Sequence, residues 1–238
     1  MKKLVLMTTL LLVVGVCQAQ NANAFTGVHK YDGEHKNEIS GYTMFGKNVV
    51  VDAYGGLEAS YKRHFTDRWH AGADAQAQFG KQLYSVDLKG GYRLPVKWMD
   101  FYFNGTLLYN RYQKWRANEY IANLSVTWET PYVMLRLGES LIRYHISDFS
   151  YTEPLTLTFG FGATMRPRWN SWNVGIFFRN YDDFYFENWN INWGLNFYGR
   201  ISPVMHFFGE FNIRPAGSMS QLASKYETSG KLGIKYVW

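Results

Sequence analysis

The chain has 238 residues, of which 18% are aromatic and 18% charged, and its formal net charge is +6. Without an N-terminal signal of roughly 20 residues, this length suits one sizeable domain and is short for two. Lysine and arginine are scattered singly instead of forming runs or one basic helix face, which argues against a nucleic-acid-binding protein. The only cysteine is Cys17, within the signal, so we expect neither disulfides nor thiol chemistry in the mature chain.

The N-terminal segment has the anatomy of a cleaved secretory signal. Two lysines precede an apolar run over residues 4–16, and small residues follow it, so a signal peptide is predicted over residues 1–20. A lipoprotein would be anchored at Cys17, but Val16 stands where such a signal has a small residue. No later stretch reaches the ~20 apolar residues of a membrane helix, which excludes a helical membrane protein.

From about residue 49 onward the chain alternates apolar and polar residues with a period of two, which is the pattern of β-strands. Between Leu155 and Met165, for example, large apolar residues alternate with threonine and glycine. The same alternation recurs in residues 69–79, 84–92, 189–198, 205–213 and 226–238. The chain is therefore predicted to be all-β.

Turns and longer connections separate these strands. Short turns are predicted near residues 66–68, 95–97, 129–131, 166–168 and 202–203. Longer, outward-facing connections are predicted near residues 112–118, 139–154, 179–188 and 214–226. Short turns on one side and long loops on the other are typical of transmembrane barrels.

The turns divide residues 49–238 into eleven strands, whereas single-chain bacterial barrels have even numbers. A twelfth strand is therefore expected within residues 24–46, although residues 27–40 read as a loop. This predicts a segment over 21–47 with a weak first strand, followed by a barrel over 48–238. Ten and fourteen strands are the alternatives.

The direction of the apolar face separates a membrane barrel from a soluble one. Three features favour lipid: the polar faces carry bulky charged and amide residues, the strands reach spanning length, and tryptophans cluster near strand ends. We therefore predict a transmembrane antiparallel β-barrel of about twelve strands. A soluble secreted β protein is the alternative.

The last segment carries a resemblance. Residues 226–238 end in an aromatic residue with apolar residues at alternate positions before it: Leu232, Ile234, Tyr236 and Trp238. This pattern resembles the C-terminal assembly signal of bacterial outer-membrane β-barrels, a class and not one family. The resemblance implies a Gram-negative outer membrane, surrounding lipids and lipopolysaccharide, insertion by the barrel-assembly machinery, and possible complexes with other outer-membrane proteins. An even strand number implies that both termini are periplasmic.

The polar face of the strands predicts which residues line the lumen. The candidates are Asp52, Glu58, Lys62, Asp74, Asp87, Lys89, Arg93, Asp100, Arg136, Arg179, Asn192, Asn196, Arg200, Glu210, Lys231 and Lys235. With Glu129 and Glu227 included, eight acidic residues face eight basic ones. A strongly ion-selective pore would show a bias of one sign, so the balance favours paired networks or a weakly selective polar channel.

Three functions are compatible with these features. The leading hypothesis is a non-enzymatic, porin-like passive channel for small polar solutes, and the alternative is a non-conducting accessory subunit of a larger outer-membrane assembly. The third is a lipid-modifying enzyme, because His145 and Ser147 are similar to the HxSNG motif of outer-membrane phospholipases. Asp148 and Phe149 depart from that motif, so no catalytic residue is assigned.

Two further expectations concern ligands. No motif indicates a cofactor or a metal, so neither is expected. Residues 179–189 hold three carboxylates among aromatic residues, a composition that could contact glycans or ions. The simpler interpretation of this segment is a strand extended above the membrane with interfacial aromatic residues.

Overall fold

The computed structural model describes residues 36–48, 53–167, 171–182, 184–186, 191–214 and 227–238. Its strands are β1 (Asn37–Asn48), β2 (Tyr54–His64), β3 (Trp69–Gln78), β4 (Leu83–Val96), β5 (Met99–Tyr112), β6 (Ala117–Glu129), β7 (Val133–Ile146), β8 (Phe149–Thr152), β9 (Thr156–Thr164), β10 (Trp172–Arg179), β11 (Tyr181–Asp182), β12 (Tyr185–Phe186), β13 (Asn192–Arg200), β14 (Met205–Arg214) and β15 (Glu227–Val237). The described part of the chain contains no helix long and apolar enough to cross a membrane.

Twelve of these strands form a closed antiparallel barrel. Each long strand pairs with its neighbours in the sequence, and β1 pairs with both β2 and β15, which closes the ring. Strand β8 extends the sheet beside the end of β7, and β11 with β12 forms a separate small hairpin. Closure leaves the barrel without the unpaired edges that an open sheet would expose. The predicted fold class and strand number are confirmed.

The first strand lies where the sequence signal is weakest. Strand β1 occupies Asn37–Asn48, so the end of the segment that reads as a loop belongs to the barrel wall. Its pairing with β15 is continuous from Glu38 with Val237 to Asn48 with Glu227. The backbone of Trp238 also exchanges both hydrogen bonds with Asn37, at 2.9 and 3.0 Å. The two ends of the barrel sequence therefore seal each other.

The two faces of the wall differ as the period-two pattern predicts. The outer face exposes a continuous belt of large apolar side chains, with Leu88 at 59%, Leu107 at 62% and Leu137 at 62% exposure. Inward side chains on the same strands are buried and mostly polar. An exposed apolar belt of this extent around a closed barrel is stable only in lipid, so the barrel spans a membrane. Leu232, Ile234, Tyr236 and Trp238 all lie in this belt.

The barrel has two ends, which we name from the chain. The near end holds both ends of the barrel sequence, the turns at 65–68, 97–98, 130–132 and 201–204, and residues 165–167 after β9. The far end holds the opposite connections. Aromatic side chains at the near end include Trp98, Tyr132 and Trp172, exposed by 63%, 49% and 44%, as expected for a belt at a membrane interface.

Two of the predicted long connections are wrong. Residues 139–154 are not a loop, because β7 continues to Ile146 and β8 returns beside it from Phe149. The connection predicted at 112–118 shrinks to the turn 113–116 between β5 and β6. The connection after β14, 215–226, lies outside the described residues.

Candidate functional site

The centre of the lumen holds three groups of paired charges. The ammonium of Lys89 binds the carboxylate of Asp74 and lies 3.0 Å from Asp87. The other two pairs join Lys231 to Glu58 at 2.9 Å and Arg179 to Glu210 at 2.6 Å. All seven side chains are buried, so the counter-charge of each comes from a nearby side chain of the barrel wall and not from bulk water.

A fourth network lies at the near end around Glu38. Its carboxylate accepts from His64 Nε2 at 2.9 Å and lies 3.0 Å from the ammonium of Lys235 and 3.5 Å from that of Lys62. These side chains come from β1, β2 and β15, which are adjacent because the barrel closes there. Glu38 is therefore the acceptor that holds two lysines and a histidine at the mouth of the lumen.

A further set of charged side chains forms contacts at the far end of the lumen. Glu227 accepts from Lys81 Nζ at 2.7 Å and from the hydroxyl of Tyr54 at 2.5 Å. Arg214 Nε donates to the amide oxygen of Asn192 at 3.1 Å. Neither Lys81 nor Arg214 belongs to the predicted lumen set, because Lys81 lies between two alternating segments of the sequence and Arg214 begins a predicted connection.

The interior is also polar where charges are absent. Several buried polar atoms have no hydrogen-bond partner among the described residues, including Asn104 Oδ1, Ser125 Oγ, Asn196 Nδ2 and Gln78 Oε1. A dry core rarely contains so many unsatisfied groups, since each costs about 1–3 kcal/mol when buried without water. These atoms therefore indicate an interior that water enters.

A segment between β10 and β13 folds into the lumen at the far end. We call the described residues 180–182 and 184–186 the constriction segment. Tyr181 is 1% and Phe184 4% exposed, and both join a buried apolar cluster on the inner wall. The wall members are Leu83, Leu108, Tyr112, Ala117, Ile121, Ile142 and Tyr144. The interpretation of these aromatic residues as a strand above the membrane is therefore wrong.

Asn180 turns the chain inward. Its backbone donates to Phe159 O at 3.1 Å, its amide oxygen accepts from Phe159 N at 2.7 Å, and its amide nitrogen donates to Leu157 O at 2.8 Å. This side chain replaces the next rung of the β9–β10 ladder, which leaves the following residues free to depart from the wall. Gly160 makes room for them, because a Cβ there would lie 2.7 Å from the hydroxyl of Tyr181.

Two contacts fix the constriction segment inside. The guanidinium of Arg136 lies over the ring of Tyr181, 4.3 Å from its centroid. The amide nitrogen of Asn110 donates both to Phe184 O at 2.9 Å and to Glu119 Oε2 at 2.6 Å. Asn110 thereby joins the segment to a buried carboxylate of the wall.

The surroundings of that carboxylate are otherwise uncharged or acidic. Glu119 also accepts from the hydroxyl of Tyr112 at 3.1 Å and is 4% exposed. Beyond β8, burial raises the pKa of the Glu153 carboxyl above its ordinary value, against the opposing effect of a hydrogen bond from Tyr144. The side chains that bind the Glu119 carboxylate are thus the neutral donors Asn110 and Tyr112.

Substituting Asn110 with leucine should release the constriction segment. The change keeps the side chain's size but removes both donated bonds, so backbone amides of residues 180–186 should exchange with solvent about five- to ten-fold faster. Hydrogen–deuterium exchange in detergent measures this rate. Asn118→Leu, at a similar height on the outer wall, is the control and should leave it unchanged. Equal protection in both variants would contradict the role of Asn110.

The structure places fifteen of the sixteen predicted lumen residues in the described chain. Buried on the inner face are Glu58, Asp74, Asp87, Lys89, Arg136, Arg179, Asn192, Asn196, Glu210 and Lys231. Half-buried at the near end are Lys62, Arg93, Asp100 and Lys235. Arg200 has the inward phase but is exposed at the near rim, where β13 ends, and Asp52 lies outside the described residues.

The structure does not bring together the side chains of the phospholipase-like motif. Ser147 lies in the turn after β7 with a φ of 51°, so it does not continue the strand face that carries His145. His145 Nδ1 instead contacts Ser150 Oγ across the β7–β8 hairpin at 2.9 Å. Both residues are exposed. The described residues also contain no cluster of three or more ligands suited to a metal.

Comparison with known proteins supports the architecture. No protein-family profile and no curated protein matches the chain. Among solved structures, it is similar to the KdgM porin in complex with disordered oligogalacturonate, with a TM-score of 0.56, 9% identity, and coverage of 84% of this chain and 99% of that one. An outer membrane channel from Pseudomonas putida matches with a TM-score of 0.54 and 10% identity, covering 94% and 98%.

A third structure widens the comparison. The translocator domain of the autotransporter NalP from Neisseria meningitidis matches with a TM-score of 0.52 and 13% identity, covering 89% of this chain and 91% of that domain. These proteins share a fold with the chain. Their sequence identities to it, 9–13%, are too low to indicate more than the fold. The chain thus has the fold of bacterial outer-membrane β-barrels, as its last strand implies.

Proposed function

We propose that the protein is a passive channel for small polar solutes in the outer membrane of a Gram-negative bacterium. The observation that carries this proposal is the lumen itself, which is lined by buried ion pairs and by polar atoms without protein partners. Such a lining supports a hydrated path and not a dry core. The porin and the channel among the similar folds support the same function without extending their solutes to this chain.

The charge pattern defines the expected solute class. In the central networks Lys231 faces Glu58 and Arg179 faces Glu210, so neither sign dominates the path. A channel that selects acidic sugars would benefit from an excess of cations, which this lumen does not offer. Neutral or zwitterionic solutes of small size are the class that fits.

The constriction segment supports a second candidate, a non-conducting barrel that serves as a subunit of a larger envelope assembly. Tyr181 and Phe184 fill part of the far end and pack against an apolar inner wall. A lumen closed in this way would leave the loops or the outer wall as the working surface. The two candidates differ in one property, the passage of ions.

Planar-bilayer recording separates them. The purified full-length protein should give stable unitary current steps in salt solution, with permeabilities for cations and anions that differ little. The control for contaminating pores is protein that has not refolded, which lacks the shift in electrophoretic mobility of a folded barrel. Silence of correctly folded protein over many insertions would overturn the channel and favour the accessory subunit.

The remaining features of the proposal concern placement. Residues 1–20 act as the signal peptide, the barrel-assembly machinery reads Leu232, Ile234, Tyr236 and Trp238, and both termini face the periplasm. Short near-end turns support this orientation, since periplasmic turns of such barrels are short. The protein needs no cofactor and catalyses no reaction in this proposal, and the position of Ser147 in the turn after β7, off the strand face of His145, supports that view.

A further inference from the structure

The outer wall has a groove near the far end, across β4 to β7. In the register of these strands Leu107 pairs with Ala122, and Ala122 pairs with Leu141. The alanine lies between two leucines that are 62% and 47% exposed, so it forms the floor of a notch. Val86 and Leu88 continue the apolar lining toward β4. Tyr109, Tyr120 and Arg143 complete its lining on the side of the far rim.

Polar side chains stand at the rim of this groove in two consecutive cross-strand rows. The row after the leucines is Tyr109, Tyr120 and Arg143, and the next is Arg111, Asn118 and His145. The two tyrosine rings lie 5.2 Å apart. This order, apolar then aromatic then cationic, is the order of layers from the hydrocarbon core to the headgroups.

The two arginines are positioned for a ligand outside the protein. Arg111 Nη1 donates to Asn118 Oδ1 at 2.9 Å, and the hydroxyl of Tyr109 donates to the same oxygen at 2.9 Å, which fixes the guanidinium beside the groove. Arg143 lines the groove and is exposed. Lys114 and Arg116 add two exposed cations in the adjoining turn.

Few acidic side chains oppose this cluster. On the same wall, Glu139 lies two rows deeper than Arg143, and Asp148 lies in the turn after β7. The rim therefore carries an excess of positive charge beside an apolar groove. A molecule with an acyl chain and a phosphate complements both parts.

We propose that this groove binds the lipid A part of lipopolysaccharide, with one acyl chain over Ala122 and a phosphate between Arg111 and Arg143. Guanidinium groups suit phosphate because they donate two parallel hydrogen bonds. The choice of lipid A over a phospholipid rests on the orientation of the barrel given with the proposed function. In that orientation the far end lies in the outer leaflet. The groove itself does not depend on whether the lumen conducts.

Native mass spectrometry of the full-length protein, titrated with purified lipid A in mild detergent, tests the site. The double variant Arg111→Ala/Arg143→Ala should bind lipid A about ten-fold or more weakly than the wild type, as expected for lost charge-assisted bonds. Ala122→Phe, which fills the notch and leaves both cations, should also weaken binding. Arg63→Ala removes an exposed cation at the near end and is the matched control.

Three outcomes would overturn the proposal. They are wild-type affinity in the double variant, equal losses in the Arg63 control, and equal binding of phosphatidylglycerol and lipid A by the wild type. The orientation is checked separately by labelling Lys114→Cys, with Asp67→Cys as the near-end control, using an impermeant maleimide on intact cells. Bilayer recordings of the same variants keep the two proposals apart, because loss of lipid binding should leave unitary currents unchanged.

Discussion

Replacing both Tyr181 and Phe184 with serine is expected to raise the single-channel conductance roughly two-fold or more. The two aromatic side chains occupy the far end of the lumen, where they are 1% and 4% exposed. Serine removes most of that volume and leaves polar groups that water can solvate. The remaining path is then limited by the central ion pairs and not by the constriction segment. Single-channel recording at fixed salt and voltage measures the change.

The control for this change is Phe45→Ser/Tyr84→Ser. Those aromatic residues also lie toward the far end, but they are 49% and 43% exposed on the outer face of β1 and β4. The control should therefore keep the wild-type conductance. Equal conductance in all three proteins would show that the constriction segment does not limit the path. A silent wild type with a conducting Tyr181/Phe184 variant would identify the segment as the plug of a closed barrel.

The wall of the barrel could be predicted from the sequence because its pattern is local. A period of two fixes which residues share a face, and closure then sends one face to lipid and the other to the lumen. Strand β1 marks the limit of this reasoning. Outward Gly41 and Thr43 are not large apolar residues, whereas inward Tyr42 and Met44 are buried and hydrophobic, so the contrast between its faces disappears.

The constriction segment could be found only in part. A signal for it exists, because Leu108, Ile121 and Ile142 are apolar residues at inward positions and are buried under a cover. Apolar residues on both faces of neighbouring strands imply that something packs inside. Which segment packs there depends on contacts between residues far apart in the sequence, such as Asn110 with Phe184, and no local pattern encodes those.

For the lumen charges, too, the sequence predicts the composition but not which residues pair. The balance of acidic and basic residues was visible in the sequence, but their partners were not. Glu38 illustrates the reason: it meets Lys235 only because the first and last strands are adjacent in the closed barrel. The sequence could therefore predict a weakly biased lumen, while the networks that shape it required the register.

Substituting only one partner of the Arg179 and Glu210 pair is expected to destabilise the barrel by about 3 kcal/mol. The side chains are 2% and 0% exposed and 2.6 Å apart, so Arg179→Met leaves a carboxylate with its closest cation removed. The double variant Arg179→Met/Glu210→Gln removes both charges and should recover most of the loss, since a neutral pair needs no compensation. Equilibrium unfolding by guanidinium chloride in lipid vesicles measures the three free energies.

Arg63→Met is the matched control for this pair, because that arginine is exposed on the outer wall and its loss should change the free energy of unfolding by less than about 0.5 kcal/mol. A double variant no more stable than Arg179→Met would contradict the pairing. The same variants also report on the lumen: Arg179→Met leaves one uncompensated carboxylate on the path, so a conducting barrel should become more permeable to cations, and the double variant should return to the wild-type ratio. If Arg179→Met changes both the free energy of unfolding and the ion selectivity, the pair lies on the solute path. A buried pair away from that path would change the free energy of unfolding alone.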